Sequence, residues 1–289
     1  MRTFVIAEAG ISHDGDIAKA MKLIDVAREA KADAVKFQTF NALKLSERRK
    51  NPALAAILKP YEMPLTWLPQ LKSHCDDAGI EFMTTCFDEE TIPIVAPFVK
   101  RFKVAASESR SEKFIEAHLN YGREVIISTN GGFNPYPVKY LHCVSKYPTP
   151  VNEAMLCDIY INGCDGFSDH TRYIPMGSWA VAAGAQIVEA HFCDWETNWD
   201  NPDRCVSHDP SSLIRYVEMI REVELALYGA EKAESKTEVP PGSAPHISRP
   251  PSSAASDLSD ARPVSERGFP LRVPPPQEQM NSQQGGPLA

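Results

Sequence analysis

The sequence predicts an α/β protein, specifically a (β/α)8 TIM barrel with a helix missing or shortened after the fifth strand. Short apolar runs that indicate buried strands alternate with amphipathic stretches, with a period of roughly 25 residues. Eight such units fit before residue 232, which is the number that this barrel requires. Polar residues follow the strands, at the edge where barrels carry their active sites. A doubly wound open sheet is the main alternative.

The strands are assigned from short apolar runs that lack a helical repeat. We predict them at residues 3–9, 34–37, 81–85, 102–105, 124–128, 140–144, in a run ending at 167, and at 186–190.

The helices are assigned from apolar residues that recur every three to four positions, as Leu23, Ile24 and Ala27 do in the first helix. Asp88 is the expected N-cap of a short third helix. The connection at 38–64 is expected to be long, with an apolar patch at 54–58. We predict the helices at residues 17–30, 65–78, 88–95, 111–120, 174–183 and 211–227.

The unit after the fifth strand is irregular. Only nine residues, 129–137, lie between Ser128 and Val138, and they include two glycines and two prolines. These residues are incompatible with a regular helix. A bare patch on the barrel is therefore expected there, which a partner subunit or a lid would cover.

Two domains are expected: a barrel domain at residues 1–231 and a Pro/Ser-rich tail at 232–289. The tail contains 11 of the 24 prolines and few large apolar residues. Such a segment cannot bury enough apolar surface to offset the entropy of ordering it. We predict that the tail is disordered, either as an extension without function or as a Pro-rich ligand for a protein partner.

Charge, hydropathy and cysteine content argue against several classes of protein. The tail carries six basic and six acidic residues, so the net charge of −8 belongs to residues 1–231. An acidic body argues against nucleic-acid binding. No apolar run approaches the roughly 20 residues of a membrane span, and no signal-peptide pattern is present. Seven scattered cysteines without a Cys-x-x-Cys pair indicate reduced thiols in the cytoplasm.

Two histidines at the ends of neighbouring predicted strands indicate a metal site. His170 follows the seventh strand and His191 follows the eighth. Adjacent parallel strands lie about 4.8 Å apart, so two imidazoles leaving consecutive strands are close enough to bind one divalent cation. The alternative for either residue alone is a hydrogen-bonded core histidine. The pair together favours a metal-assisted enzyme.

Charged residues within apolar strands are further candidates. Lys36 lies between Val35 and Phe37, where a buried lysine without a function would be unfavourable. Its alternative is an ordinary solvated surface lysine. Glu8 and Glu189 are single carboxylates that end apolar strands, where an unpaired charge would be costly.

The chain resembles the sialic acid (N-acetylneuraminate) synthases and their relatives that make other nonulosonic acids. The resemblance extends over nearly all of residues 4–229, and its specificity lies in the order of nine segments rather than in any one of them. The segments are IAEAG (6–10) with SHDGD (12–16), VKFQTF (35–40), FMTTCFD (82–88), FKVA (102–105), VIIST (125–129), HCVSKYPTP (142–150), GFSDHT (166–171), EAHF (189–192) and NPD (201–203).

The resemblance implies a homodimeric barrel enzyme that condenses phosphoenolpyruvate with an N-acylated amino sugar aldehyde similar to N-acetylmannosamine. The products would be a nonulosonic acid and phosphate. It also implies a divalent metal, Mn²⁺ in the first place and otherwise Mg²⁺ or Co²⁺, with His170 and His191 as its ligands. A divalent cation acts as a Lewis acid on the aldehyde oxygen.

The same resemblance implies roles for the other candidate residues. Glu8 and Glu189 would order the metal–phosphate end of the site. Gln38 would lie near the reacting centre, and Glu108 would orient or deprotonate the attacking water. Phosphoenolpyruvate would contact Lys36, Lys103, Thr85, Ser128 and Ser168. The remaining substrate-binding positions are Ser145, Tyr147 and Asp203, of which Tyr147 and Asp203 would face the sugar.

The chain departs from the family pattern in four places. The C-terminal antifreeze-like domain, which supplies an arginine to the sugar across the dimer, has no counterpart in residues 232–289. The helix after strand five is missing. The usual Ala-Ser-Gly after the strand-four lysine is Ala-Ala-Ser at 105–107. The usual Asn-His-Asn-Gly-Asp is Ser-His-Asp-Gly-Asp at 12–16, and the usual Gly-Met is Asn-Gly at 130–131.

Two further functions are compatible with the sequence. One is another metal-dependent isomerase or lyase that acts on a small sugar. The other is a non-catalytic barrel that serves as a scaffold through its Pro-rich tail.

Overall fold

A computed structural model describes residues 2–131 and 136–229. Its centre is a closed barrel of eight strands, each parallel to its neighbours, in the order of the chain. The strands are β1 (Phe4–Gly10), β2 (Ala34–Thr39), β3 (Glu81–Cys86), β4 (Phe102–Val104), β5 (Val125–Thr129), β6 (Lys139–Cys143), β7 (Gly166–Asp169) and β8 (Ile187–His191).

Helices follow most of the strands and cover the outside of the barrel. The described part of the chain contains α1 (Ile17–Glu29), α2 (Ala42–Arg48), α3 (Pro52–Leu58), α4 (Leu68–Ala78), α5 (Ile92–Val95), α6 (Glu112–Leu119), α7 (Cys157–Ile161), α8 (Met176–Ala182) and α9 (Pro210–Tyr228). The predicted (β/α)8 barrel is therefore confirmed, and the open sheet is excluded.

The barrel interior consists of an apolar layer with a polar layer next to it. Side chains alternate along a strand, so the next inward-facing position is two residues further on. At that position these strands carry polar or ionisable residues, namely Glu8, Lys36, Thr85, Ser128, Cys143 and Glu189. The apolar layer consists of Ile6, Ala34, Met83, Ile126, Leu141 and Ile187.

The strand boundaries differ from the predicted ones by one or two residues, and the differences between predicted and observed helices have local causes. The predicted connection 38–64 contains α2 and α3, because Asn41 caps α2 and Pro52 begins α3. The predicted helix 88–95 is reduced to α5. Asp88 accepts a hydrogen bond from the amide of Thr91 instead, at 3.0 Å.

The connection between β5 and β6 is the irregular unit. Nine residues, 130–138, separate the two strands. Of these, the five that the structure describes contain no helix. The predicted disorder of the tail at 232–289 lies outside the described residues. Within residues 2–131 and 136–229, no helix is both long and apolar enough to cross a membrane.

Candidate active site

The polar layer places Lys36 between two carboxylates from neighbouring strands. Lys36 Nζ lies 2.7 Å from Glu8 Oε2 and 3.5 Å from Glu189 Oε2. It also donates a hydrogen bond to Thr85 Oγ1 at 3.0 Å. The lysine is 3% exposed. The sequence predicts that these four residues share the site, and in the structure Lys36 contacts the other three directly.

A second buried lysine lies across Glu189. Lys103 Nζ donates to Ser128 Oγ at 2.7 Å and lies 3.4 Å from Glu189 Oε1. Ser168 Oγ donates to the same carboxylate oxygen at 3.0 Å. Glu189 thus connects the two lysines. The five residues predicted to contact phosphoenolpyruvate, Lys36 and Thr85 among them, therefore form one cluster.

The two carboxylates of this cluster differ in their readiness to accept a proton. Burial raises the pKa of Glu8 to about 7, although Lys36 opposes the shift. Burial acts in the same direction on Glu189, but Lys103 and Lys36 outweigh it and lower the pKa of Glu189 to about 2. At neutral pH, Glu189 is therefore an anion that holds both lysines, and Glu8 is the group able to exchange a proton.

The lysines also differ from each other. Burial disfavours the charge of Lys36, but Glu189 and Glu8 overcome this effect and raise its pKa. At Lys103 burial prevails, and its pKa is lowered. An anionic ligand beside Lys103 would therefore relieve an unfavourably buried charge.

The two histidines that follow β7 and end β8 lie side by side, as predicted. Their ring centroids are 5.5 Å apart. His170 Nδ1 pairs with the carbonyl of Val144 at 2.8 Å, which makes Nδ1 the protonated nitrogen. Burial lowers the pKa of His170 to about 4. Burial, together with the neighbouring His170, lowers the pKa of His191 well below its ordinary value. Both rings are therefore neutral near pH 7.

Tyr147 covers this pair. Its ring stacks on His170 with a centroid distance of 4.3 Å and meets His191 edge-on at 5.7 Å. Its hydroxyl lies 3.0 Å from His170 Nε2. Because Nδ1 is the protonated nitrogen of His170, Tyr147 donates this hydrogen bond.

Asp203 reaches the site from the segment between β8 and α9. Its Oδ2 lies 3.6 Å from His191 Nδ1. Gly10 permits this approach, because a Cβ at Gly10 would lie only 2.4 Å from Asp203 Oδ2. Gln38 Nε2 donates to Glu8 Oε1 at 3.0 Å, so Gln38 also adjoins the cluster. Burial raises the pKa of Asp203 to about 6.

The histidine pair has the chemistry of a partial metal site. His170 anchors one nitrogen to a backbone carbonyl, an arrangement common among metal-binding histidines, and the lone pair of its other nitrogen accepts the hydrogen bond from Tyr147. His191 Nδ1 is buried without a hydrogen-bond partner. In the described part of the chain, no group of three or more His, Cys, Asp or Glu side chains is placed to hold a metal ion. The chemistry of these two imidazoles fits a divalent cation, to which they would supply two nitrogen ligands.

Two predicted site residues lie outside the direct contacts of the cluster. Glu108 follows β4, and its Oε1 pairs with Arg49 Nη2 at 2.8 Å and Arg48 Nη2 at 3.2 Å. Ser107 Oγ donates to the same oxygen at 3.1 Å. Ser145 is half-buried, and its side chain adjoins the thiol of Cys143.

Sequence reasoning missed three features of this region. Arg48 and Arg49 hold Glu108, and the signal available was a basic pair at the end of a helix that was not predicted. Cys143 occupies the polar layer next to Lys103, and its position two residues after an inward-facing leucine was the available signal. The hydrogen bond from Tyr147 to His170 had no sequence signal, because it depends on how the β6–α7 connection folds.

Several known proteins that are similar to this chain in sequence and in fold belong to one group of synthases. The NeuB family model matches residues 23–135 and 133–232. An N,N'-diacetyllegionaminic acid synthase from Legionella pneumophila is 32% identical, over 83% of this chain and 77% of the relative. An N-acetylneuraminate-9-phosphate synthase from Mus musculus is 28% identical, over 78% and 71%. The crystal structure of an N-acetylneuraminic acid synthetase from Leptospira borgpetersenii superposes with a TM-score of 0.72, at 29% identity, over 84% of this chain and 89% of that chain.

The family match and the named relatives place the chain in the class of nonulosonic acid synthases, which are phosphoenolpyruvate-dependent condensing enzymes. The chain belongs to the NeuB family. The predicted resemblance and the predicted enzyme class are thereby confirmed for the barrel domain. The relatives bear the names of synthases for several different nonulosonic acids.

Proposed function

We propose that this protein condenses phosphoenolpyruvate with an N-acylated amino sugar aldehyde, similar to N-acetylmannosamine, to give a nonulosonic acid and phosphate. One observation carries the proposal: two buried lysines share Glu189 within a polar layer that two neutral histidines border. The NeuB family membership and the names of the relatives support the same reaction class.

The lysines are the proposed binding groups for the phosphate and carboxylate of phosphoenolpyruvate. Lys36 and Lys103 are almost fully buried, at 3% and 2% exposure. A lysine in such a place is unfavourable unless anions surround it. The hydroxyls of Thr85 and Ser128 already contact the two ammonium groups and would orient them.

Glu8 gives the cluster a way to accept an anion. With its pKa raised to about 7, Glu8 takes up a proton at little cost when a negatively charged ligand arrives. Its protonation would leave Lys36 with one carboxylate partner fewer. We infer that phosphoenolpyruvate binding is coupled to protonation of Glu8.

The sugar aldehyde is assigned to the side of the cluster where Asp203 and Tyr147 lie. Asp203 Oδ2 is 3.6 Å from His191 Nδ1, and the Tyr147 ring stacks on His170. A carboxylate and a phenol offer an acceptor and a donor for sugar hydroxyls. An aldehyde bound here would have its carbonyl oxygen towards the histidines.

A divalent cation held by His170 and His191 would polarise that carbonyl oxygen as a Lewis acid. We propose Mn²⁺ as the native ion, with Mg²⁺ and Co²⁺ as alternatives. The residues around it orient the substrates and keep the lysines charged.

The proposed reaction forms one carbon–carbon bond and, from water, one carbon–oxygen bond, and it breaks the carbon–oxygen bond to phosphate; the water supplies the proton that the aldehyde oxygen takes up. The methylene carbon of phosphoenolpyruvate attacks the aldehyde carbon, and the aldehyde oxygen becomes the new hydroxyl. Water then adds to the former enol carbon, and the resulting tetrahedral intermediate expels phosphate. We assign Glu108 to orient this water, and its ion pairs with Arg48 and Arg49 would fix the carboxylate in place.

A phosphate-release assay tests this function. Purified full-length protein is mixed with phosphoenolpyruvate, Mn²⁺ and a panel of N-acylated hexosamines, and the product is identified by mass spectrometry. We expect phosphate and a nine-carbon acid in equal amounts with at least one sugar. Absence of release with every sugar, from folded protein loaded with metal, would refute the proposal.

A matched pair of lysine variants connects the activity to the cluster. Lys103→Met keeps an unbranched side chain that is one atom shorter and removes the buried charge, whereas Lys139→Met makes the same change at a lysine that pairs with Asp165. We expect Lys103→Met to lose at least a hundredfold in kcat/KM, a size typical of the loss of a charge-stabilising group. Lys139→Met should retain activity, and equal losses in both variants would contradict the assignment.

Assembly and location are part of the same proposal. We propose a homodimer in the cytoplasm, as expected from the family resemblance and from the reduced cysteines. Sedimentation of the full chain tests the dimer.

A further inference from the structure

Asp14, in the loop between β1 and α1, is a buried carboxylate with a left-handed backbone conformation. Its side chain is 2% exposed, and its φ angle is 51°. Aspartate tolerates this conformation better than most residues, but such a position persists only where its surroundings fix it. A buried carboxylate is also costly unless it is well hydrogen-bonded. The partners of Asp14 therefore determine whether this loop keeps its shape.

The partners of Asp14 tie the β1–α1 loop to the segment between β8 and α9. Oδ1 accepts a hydrogen bond from Asn201 Nδ2 at 2.8 Å, and Oδ2 accepts one from the amide of Asn198 at 2.8 Å. Lys19 Nζ lies 2.8 Å from Oδ2 and also donates to the carbonyl of Glu196 at 2.9 Å. A single carboxylate thus joins two loops at the mouth of the barrel.

Asn201 continues this connection to the site. Its Oδ1 accepts a hydrogen bond from the amide of Asp203 at 3.0 Å, and its Nδ2 also donates to the carbonyl of Ile11 at 2.9 Å. The amide of Ile11 lies 3.4 Å from Asp203 Oδ2. The same oxygen is 3.6 Å from His191 Nδ1. An unbroken series of hydrogen bonds therefore leads from Asp14 through Asn201 to Asp203.

We propose that Asp14 is a positioning residue that holds Asp203 in place at the sugar side of the site. The inference rests on the proposed function, because Asp203 is assigned there to the sugar aldehyde. Asp14 makes no contact with the lysine cluster among the described residues. Loss of Asp14 should therefore impair use of the sugar and spare binding of phosphoenolpyruvate.

The near-isosteric change Asp14→Asn tests this role sharply. An asparagine keeps one acceptor oxygen, which can still receive the hydrogen bond from Asn201. Its NH₂ group would face the amide of Asn198 and the ammonium of Lys19, and donors cannot pair with donors. The variant removes the charge and the contacts with Asn198 and Lys19, which weakens the link between the two loops, while leaving the size of the side chain unchanged.

Asp16→Asn is the matched control. Asp16 lies in the same loop and caps α1 by accepting a hydrogen bond from the amide of Ala18 at 2.7 Å. It therefore provides the same chemical change without a contact to the β8–α9 segment. We expect Asp14→Asn to raise KM for the sugar about tenfold, the effect of losing a charge-assisted hydrogen bond. The KM for phosphoenolpyruvate should stay within about twofold in both variants.

Amide hydrogen exchange provides a readout that needs no activity. We expect exchange at residues 197–206 to rise at least tenfold in Asp14→Asn and to stay unchanged in Asp16→Asn. Unchanged exchange, or an equal rise in KM for both substrates, would overturn the proposal. If the wild-type protein releases no phosphate with any sugar, the proposed function fails, while the exchange result still decides whether Asp14 positions the Asp203 segment.

Discussion

The hydroxyl of Tyr147 donates a hydrogen bond to His170 Nε2 over 3.0 Å. His170 commits its other nitrogen to the carbonyl of Val144. The lone pair that the proposed metal requires is therefore the one that Tyr147 occupies. A cation can bind His170 through Nε2 only if the tyrosine hydroxyl moves away.

Tyr147→Phe should therefore strengthen metal binding. The variant removes the competing hydrogen bond, which is worth about 1 kcal/mol, so we expect Mn²⁺ affinity to rise about fivefold. Isothermal titration calorimetry on metal-free protein measures the change. Tyr173→Phe makes the same substitution on an exposed tyrosine whose ring packs at a tilt against Trp179, and it should leave the affinity unchanged. Weaker binding by Tyr147→Phe would show that the phenol is a ligand and not a competitor.

Glu8 should make phosphoenolpyruvate binding depend on pH. Burial raises the pKa of Glu8 to about 7, so the carboxyl is mainly ionised at pH 8.5 and largely protonated below 7. Protonation removes a negative charge 2.7 Å from Lys36, which favours an incoming anion. We expect affinity for phosphoenolpyruvate to rise as pH falls from 8.5 to 7, with proton uptake per ligand bound that falls from about one at pH 8.5 to about one half at pH 7.

Calorimetry in two buffers of different ionisation enthalpy measures this proton uptake. Glu8→Gln should abolish it and flatten the pH dependence, because an amide does not titrate. Glu218→Gln, a surface change on α9, should behave as the wild type does. Proton uptake that persists in Glu8→Gln would assign the titration to another group.

The sequence was sufficient to predict the parts of the site that belong to the barrel strands. A strand-end position dictates where a side chain points, so Lys36, Glu189 and His191 could be placed from the strand pattern alone. The loop contacts could not be predicted in this way. The contacts of Glu108 with Arg48 and of Asp14 with Asn201 join residues far apart in sequence, through backbone shapes that no local pattern specifies.

The helices show the same distinction. The repeat of apolar residues predicted α1 and α9 to within two residues, because a long amphipathic face buries enough surface to fix the helix. The short α2 and α3 were missed, because each has only seven residues. Helices of that length are not stable alone and depend on tertiary contacts.

Two buried histidines that are not proposed metal ligands should destabilise the protein in acid. Burial lowers the pKa values of His13 and His208 to about 4. In the unfolded chain both titrate near 6.5, so between pH 6.5 and 4 the unfolded state binds more protons than the folded state. Stability is therefore retained above 6.5 and lost as pH falls through this window, by up to about 1.4 kcal/mol per pH unit for each histidine.

Urea unfolding at pH 6.5, 5.5 and 4.5 measures this loss. His208→Gln and His13→Gln should each reduce the slope of unfolding free energy against pH by close to one proton. Slopes that match the wild type in the two buried variants would refute the assignment.

Gly10 should tolerate no side chain, because it lies directly under Asp203. Its φ angle is 52°, and an added Cβ would lie 2.4 Å from Asp203 Oδ2 and 3.2 Å from Gln38 Nε2. A side chain at Gly10 would therefore cause both backbone strain and a steric clash.

Gly79 is the control that separates backbone strain from the clash, since its φ angle is 73° and its added Cβ would meet no described atom within 4 Å. Gly79→Ala therefore measures the backbone cost alone, about 1 kcal/mol. Gly10→Ala should lose about 1–3 kcal/mol more in urea unfolding, because the clash adds overpacking. It should also raise KM for the sugar, because Asp203 must move. Equal losses in the two variants would mean that the segment carrying Asp203 yields freely and that its position against His191 is not fixed.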